Sequence, residues 1–224
     1  MSFISAGTLR RWSKPILLKL WIERGTRRTS TFRYAGSDLR IDPTVFHPRY
    51  FGSSLIFARF VEALNIRGKQ FLDLGTGSGI IGLAAARAGA QVTSSDINPA
   101  AVRCATENAA AAGFNIRCIE SDLFDSLKAD RFDVVAWNPP FFAKEPTNIA
   151  EAAFYAGEEH NVIRRFAREV RAHLMPGGLI YLIFSLDGGR NTLEKIFRDE
   201  GFTINTVLTK RWGLAETMIV LEIR

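Results

Sequence analysis

From Gln70 onward, short strand-like runs alternate with helix-forming segments, and this alternation constrains the fold more than any other feature of the chain. "QFLDL" (70–74), "AQVTSSD" (90–96), "NIRCIES" (115–121), "RFDVVAW" (131–137) and "GLIYLIFS" (178–185) have strand length. The last two are continuously apolar, as strands covered on both faces should be. Between them, "GIIGLAAARAG" (79–89), "NPAAVRCATENAAAAG" (98–113), a stretch at about 159–174 and "NTLEKIFRDEG" (191–201) read as helices. Asn98 is the expected N-cap of the second, Pro99 suits its first turn, and Gly113 stands past its end. Val102, Ala105, Ala109 and Ala112 form its expected buried stripe. Strands joined by crossover helices run parallel, so the chain reads as an α/β domain. "FTINTVLTKRW" (202–212) and "ETMIVLEIR" (216–224) have no helix between them, and that pair is expected to be antiparallel.

The 224 residues are 47% hydrophobic, enough for one sizeable core. No run approaches the roughly 18 apolar residues of a membrane span. Cys104 and Cys118 lie in apolar patterns without metal or disulfide-framework spacing, and read as reduced thiols of a cytoplasmic protein. His47, His160 and His173 form no ligand pattern, so no metal site is expected. Charge is uneven: residues 1–40 carry nine Lys/Arg against Glu23 and Asp38, while the rest is nearly balanced. The organisation expected is a basic, helical extension over 1–40 and one domain over 41–224. In "PILLKLWIERGTRR" (15–28), Ile16, Leu17, Leu20 and Trp21 share a helical face. Packing on the core is the favoured reading of this arm, and contact with nucleic acid is the sharper one. Its acid-poor, Arg-rich character is shared with organelle transit peptides, whereas Lys19 interrupts a run already too short for a secretory signal.

In a doubly wound sheet, ligands lie outside the carboxyl ends of the strands. Those ends carry Asp73 followed by Gly75, Gly77 and Gly79, then Asp96-Ile97, then Asp122-Leu123, then Asn138. Glycines let the backbone turn and approach a ligand where a Cβ would clash. Asp96 follows Gly75 at a distance suited to a carboxylate on ribose hydroxyls. Asp122 can accept from an adenine amine, and Asp73 would repel a phosphate but suit a cation. An adenosine ligand carrying a cation, S-adenosylmethionine, fits this set. "GSGIIG" (77–82) literally matches the dinucleotide fingerprint. In the dinucleotide register, however, the first glycine follows the strand directly, and counting from Gly75 puts Ile80 in the third position. An NAD-dependent oxidoreductase and a non-catalytic binding module are the remote alternatives.

"AWNPPFF" (136–142) ends a strand with two prolines, which remove two donors and fix two φ angles. The residue before each proline is pushed out of the helical region. The exit is stiff, and holds the Asn138 amide and the Pro139 carbonyl in fixed directions beside aromatic surface. With "DLGTGSGIIGLAAA", "SSDINPAAV", "SDLF" and "FDVVAWNPPFF" in this order, the chain resembles the class I S-adenosylmethionine-dependent methyltransferases over about 45–224. The NPPF tetrapeptide resembles the branch that methylates planar nitrogens: glutamine amides and the amino groups of nucleobases. "TVFHPRYFGSS", "MPGGLIYLIFS" and "LAETMIVLEIR" resemble the HemK-type release-factor glutamine methyltransferases. The resemblance implies a Rossmann-like, three-layer αβα fold with a seven-stranded, mostly parallel sheet whose last strand is antiparallel. It implies S-adenosylmethionine as cofactor, held by Gly75, Gly77 and Asp96 with Ile97, and with Asp122 and Leu123 at the adenine. It makes Asn138, Pro139, Pro140 and Phe141 the acceptor site, and a protein such as a translation release factor, or a nucleic acid, the partner, with a small molecule as a further alternative acceptor. The chain departs from the family where Phe141 replaces a common tyrosine, where Gly52-Ser53 replaces an acidic-Thr pair, and where a basic arm stands in place of a helical substrate domain.

A planar amide or aryl amine is a poor nucleophile because its lone pair is delocalised. The Asn138 oxygen and the Pro139 carbonyl are expected to bind its two N–H groups, with Phe141 stacked on the planar group. His47, Pro48 and Arg49 precede an apolar helix expected at about 54–65, with Arg49 read as a surface ion pair. Phe142, Lys144 and "FYAGEEHNVIRRF" (154–166) are placed to cover the acceptor, with His160 a helix-end residue rather than a base.

Overall fold

The computed structural model describes residues 28–50, 52–186, 189–212 and 216–224. In chain order its elements are β1 (Ser30–Tyr34), β2 (Ser37–Ile41), α1 (Gly52–Glu62), β3 (Gln70–Leu74), α2 (Ile80–Arg87), β4 (Gln91–Asp96) and α3 (Pro99–Ala111). They continue with β5 (Arg117–Glu120), β6 (Phe132–Trp137), α4 (Asn161–Glu169), β7 (Leu174–Ser185), α5 (Arg190–Asp199), β8 (Ile204–Trp212) and β9 (Glu216–Ile223). Seven strands form one sheet in the order β5-β4-β3-β6-β7-β9-β8. Neighbours from β5 to β7 are parallel, and β9 runs antiparallel to both β7 and β8. The chain leaves β3 toward β4 on one side and returns to β6 on the other, so the switch point lies between the ends of β3, β4 and β6.

The two-residue period of the strands divides the core into two layers. Phe71, Val134, Ala136, Tyr181, Ile183 and Val220 face α1, α2 and α3. Leu72, Val135, Trp137, Leu182, Phe184 and Leu221 face α4 and α5. Burial on both faces is why β6 and most of β7 are apolar without alternation.

Several boundaries differ from the sequence reading. The helix expected over 15–28 lies, apart from Arg28, outside the described residues. The end of the basic arm is not helical: β1 and β2 form an antiparallel hairpin, turned at Ala35 and Gly36 with φ of 47° and 90°. Positive φ at both central residues is the signature of a tight hairpin turn. Leu39 and Ile41 are buried, and Arg40 exchanges backbone hydrogen bonds with the Asn108 side chain, its N–H donating to Oδ1 (2.7 Å) and its carbonyl accepting from Nδ2 (2.9 Å). That clamp also shifts the buried face of α3, which consists of Ala100, Ala101, Cys104, Ala105, Asn108 and Ala109. Val102 and Ala112 are only half-buried, because a polar side chain takes the inward place that sequence alone assigns to apolar ones. α1 starts and ends earlier than expected, at Gly52 and Glu62. The long helix near 159–174 is broken, since Glu159 and His160 have φ of 53° and 60° and Val170–His173 tightens into a 3₁₀ turn.

Candidate active site

A cavity of about 240 Å³ opens at the switch point. Among its walls are eight of the predicted residues: Gly75, Gly77, Asp96, Ile97, Asp122, Leu123, Asn138 and Pro140. Asp73, Gly79, Pro139 and Phe141 are not among its lining residues.

Asp73 corrects the expectation that it meets the ligand's cation, because it is fully buried beneath the glycine turn. Its Oδ2 accepts from Thr76 Oγ1 (2.6 Å) and the Gly82 amide (2.8 Å), which fixes the turn from below. Burial pushes its carboxyl up to about 7, against the effect of those two donors. Gly79 closes the turn with φ of 82°, and a Cβ there would lie 3.0 Å from the Ala105 Cα, so only glycine lets α2 approach α3 this closely.

Asp96 is held in the cavity by two backbone donors, Gly77 N to Oδ2 and Asn98 N to Oδ1, both at 2.9 Å. Burial raises its carboxyl above the ordinary range, and these amides oppose the shift. Each carboxylate oxygen keeps acceptor capacity for a ligand, and paired oxygens of this kind fit two adjacent ribose hydroxyls. Ile97 beside it is 45% exposed, an apolar surface at the rim. Replacing Asp96 with Ala is expected to weaken S-adenosylhomocysteine binding by about 1–3 kcal/mol, the scale of hydrogen bonds to a charged acceptor. Calorimetry on the variant checks this, and unchanged affinity would remove Asp96 from the cofactor site.

Asp122 is tied to Arg165 (2.8 Å), a guanidinium that also meets Asp125 and, at 2.8 Å, Glu169. Leu123 sits at φ 48°, a conformation that non-glycine residues rarely adopt. Ser121 secures it by donating to the Leu123 carbonyl (2.9 Å) while accepting from Ser126 N (3.0 Å). Neither Arg165 nor Ser121 was singled out from sequence. Arg165 lies 43 positions from Asp122, on α4, and no local pattern announces it.

Asn138 lies at the end of β6. Its Nδ2 is 3.2 Å from Ser53 Oγ and 3.5 Å from Ser54 Oγ, both on the first turn of α1. Phe141 is half-buried with its ring edge-on to Phe184 at 4.7 Å, so it packs into the core. The following loop folds back over the cavity: Phe141 N and Phe142 N both donate to the Phe154 carbonyl at 3.0 Å, and Ala156 N donates to Phe142 O at 2.8 Å. Pro146, Ile149 and Tyr155 of this loop form part of the wall, and Lys144 Nζ rests 4.4 Å from the Tyr155 ring centre. His160 hydrogen-bonds the Phe141 backbone while burial holds its imidazole below the usual value. His47 is buried, accepts from Arg49 N at Nδ1 (3.1 Å), and therefore presents Nε2–H to Ser30 Oγ (3.0 Å).

The methyltransferase small domain model matches residues 39–206. A putative protein N5-glutamine methyltransferase from Methanocaldococcus jannaschii is 31% identical over 192 residues, covering 83% of this chain and 94% of that protein. A release factor glutamine methyltransferase from Deinococcus radiodurans is 32% identical over 165 residues, covering 69% of this chain and 59% of its own length. The chain thus spans less than two thirds of that enzyme. Among solved structures, the T. thermophilus 16S rRNA N2 G1207 methyltransferase in complex with AdoMet and guanosine superposes with a TM-score of 0.61 at 24% identity, over 87% of this chain and 49% of that one. At that identity the likeness speaks for the fold. The family match takes in every strand from β3 to β7 and with them the whole crevice, so the chain belongs to the methyltransferase small domain family and is an S-adenosylmethionine-dependent methyltransferase.

Proposed function

We propose that the protein methylates a glutamine side-chain amide of a protein, of the translation release factor kind, in the cytoplasm. The observation that carries this reading is the proline-stiffened turn at the end of β6. It sets Asn138 into the cavity wall with its nitrogen bonded to serine hydroxyls and, among the described residues, no hydrogen bond to its oxygen. Bound S-adenosylmethionine supplies an electrophilic methyl group. The Asn138 Oδ1 and the Pro139 carbonyl take the two N–H groups of the amide, turn its nitrogen toward the donor, and stabilise the positive charge that develops there. The proton leaves after transfer, so no strong base is required. His160 serves the turn instead, through the Phe141 backbone.

Two features favour an amide over a nucleobase. Phe141 is anchored against Phe184, which limits its freedom to stack on a large ring. The archaeal relative whose length this chain nearly matches is named for a protein glutamine. We assign the reaction to the domain over 41–224, with the basic residues 1–40 as an extension to it. Among the described residues, no helix is long and apolar enough to cross a membrane.

The test is incubation with isotopically labelled S-adenosylmethionine and, in separate arms, a release factor and ribosomal RNA, followed by mass spectrometry of peptides and nucleosides. Label on a glutamine side chain is the expected result. Label on nucleosides alone would transfer the assignment to the planar amines of RNA.

A further inference from the structure

We propose that Ser53 is a positioning residue for methyl transfer: it holds the Asn138 carboxamide so that oxygen, not nitrogen, faces the acceptor. The proposal rests on the planar-nitrogen reading given above. A carboxamide has two ends of almost equal shape and opposite hydrogen-bonding character. A half-turn about the last side-chain bond of Asn138 would set N–H groups against the N–H groups of the substrate, and the acceptor contact would be lost. The Pro139-Pro140 turn fixes where Asn138 stands, but not which end of its amide points inward.

The first turn of α1 supplies what the prolines cannot. Ser53 Oγ lies 3.2 Å and Ser54 Oγ 3.5 Å from the same nitrogen, and both serines are largely buried, at 5% and 6% exposure. Ser54 contributes to the cavity wall, whereas the closer Ser53 is not part of it. These hydroxyls are themselves held in place. Ile56, Phe57 and Val61 anchor α1 in the core. On another side the indole of Trp212 covers the backbone of Gly52, where a Cβ would fall 2.0 Å from a ring carbon. A helix start fixed in this way can set the rotamer of a neighbour, as a supporting shell does in any preorganised site. Sequence had marked Gly52-Ser53 only as a departure from the family pattern.

The test combines a spectroscopic and a kinetic readout. The Asn138 side-chain amide resonances are identified in a 15N–1H spectrum by their loss in Asn138→Asp. Ser53→Ala is expected to shift them and speed their exchange with solvent about tenfold or more, while Ser53→Thr preserves both. In single-turnover transfer at saturating cofactor, Ser53→Ala should slow the reaction roughly tenfold or more, the order expected of a misplaced reacting group. The affinity for S-adenosylhomocysteine and the melting temperature should hold. Placed on Asn138→Ala, the same substitution should add nothing. Unchanged Asn138 resonances, or effects that simply add, would overturn the proposal. Resonances that respond in a protein found to methylate no glutamine would support the contact and remove only the acceptor assignment.

Discussion

Asn138→Ala should slow methyl transfer by about 100-fold or more at saturating cofactor, the scale seen when one preorganised transition-state hydrogen bond is removed. S-adenosylhomocysteine affinity should stay near that of the native protein, because the backbone-held Asp96 and the glycine turn above Asp73 are untouched. Single-turnover kinetics with an identified acceptor separate the two quantities. Asn138→Asp should also be slow: it keeps an acceptor, but brings a charge and loses the N–H that meets Ser53. Phe141→Ala behaves differently, since removing a ring packed on Phe184 lowers the melting temperature together with any change in acceptor KM. Native rates from Asn138→Ala would make the NPPF turn a purely structural device.

Asp73→Asn should flatten the dependence of stability on pH. In the folded protein the Asp73 carboxyl holds its proton to about 7, against an ordinary value of 3.8, chiefly because burial penalises the charge. Its Oδ1 and the neighbouring Ser94 and Ser95 hydroxyl oxygens find no hydrogen-bond partner among the described residues, so little there rewards ionisation. Between about pH 4 and about pH 7 the native state therefore binds more protons at this site than the unfolded chain does. Stability contributed by the neutral acid is fully present below that window and is lost as pH rises through it. Three units at 1.36 kcal/mol each set an upper figure of about 4 kcal/mol. Asp96 is shifted in the same direction, so part of the slope survives in the variant. Asparagine keeps an oxygen for Thr76 and Gly82 and does not titrate. Urea unfolding across the window checks the difference, and parallel curves for the two proteins would mean that Asp73 is ionised in the fold.

The sheet and the crevice were legible because their signals are local and periodic. β6 and β7 declare double burial by unbroken apolar sequence, and α3 declares its start through Asn98 and Pro99. Asp96, Asp122 and Asn138 could be read because each lies at or within two residues of a strand's carboxyl end. The rest depends on partners far apart in the chain. Asn108 reaches Arg40 over 68 positions and Asn138 reaches Ser53 over 85, and neither pairing leaves a mark on the residues around it. The β1–β2 hairpin was hidden by its charge, since Arg33, Asp38 and Arg40 alternate with the buried Tyr34, Leu39 and Ile41 and read as part of a basic arm. Asp73 was legible as important but misread in direction, because a strand's two-residue period turned it under the turn.

The place of β9 has a consequence for how a nascent chain assembles. β9 sits between β7 and β8, yet the ribosome makes it after both. Among the described residues β8 pairs with β9 alone, so it cannot join the sheet before β9 does. Until β9 threads into the slot, one side of β7 is also an unpaired edge, the kind of surface that recruits strands from other chains. The half of the sheet that bears β3, β4 and β6 has no such dependence and can pair as it is made. Translation thus completes the cofactor crevice before it completes the wing beside it. A chain cut short of residue 216 would keep its crevice strands and leave β7 with an open edge and β8 without a neighbour.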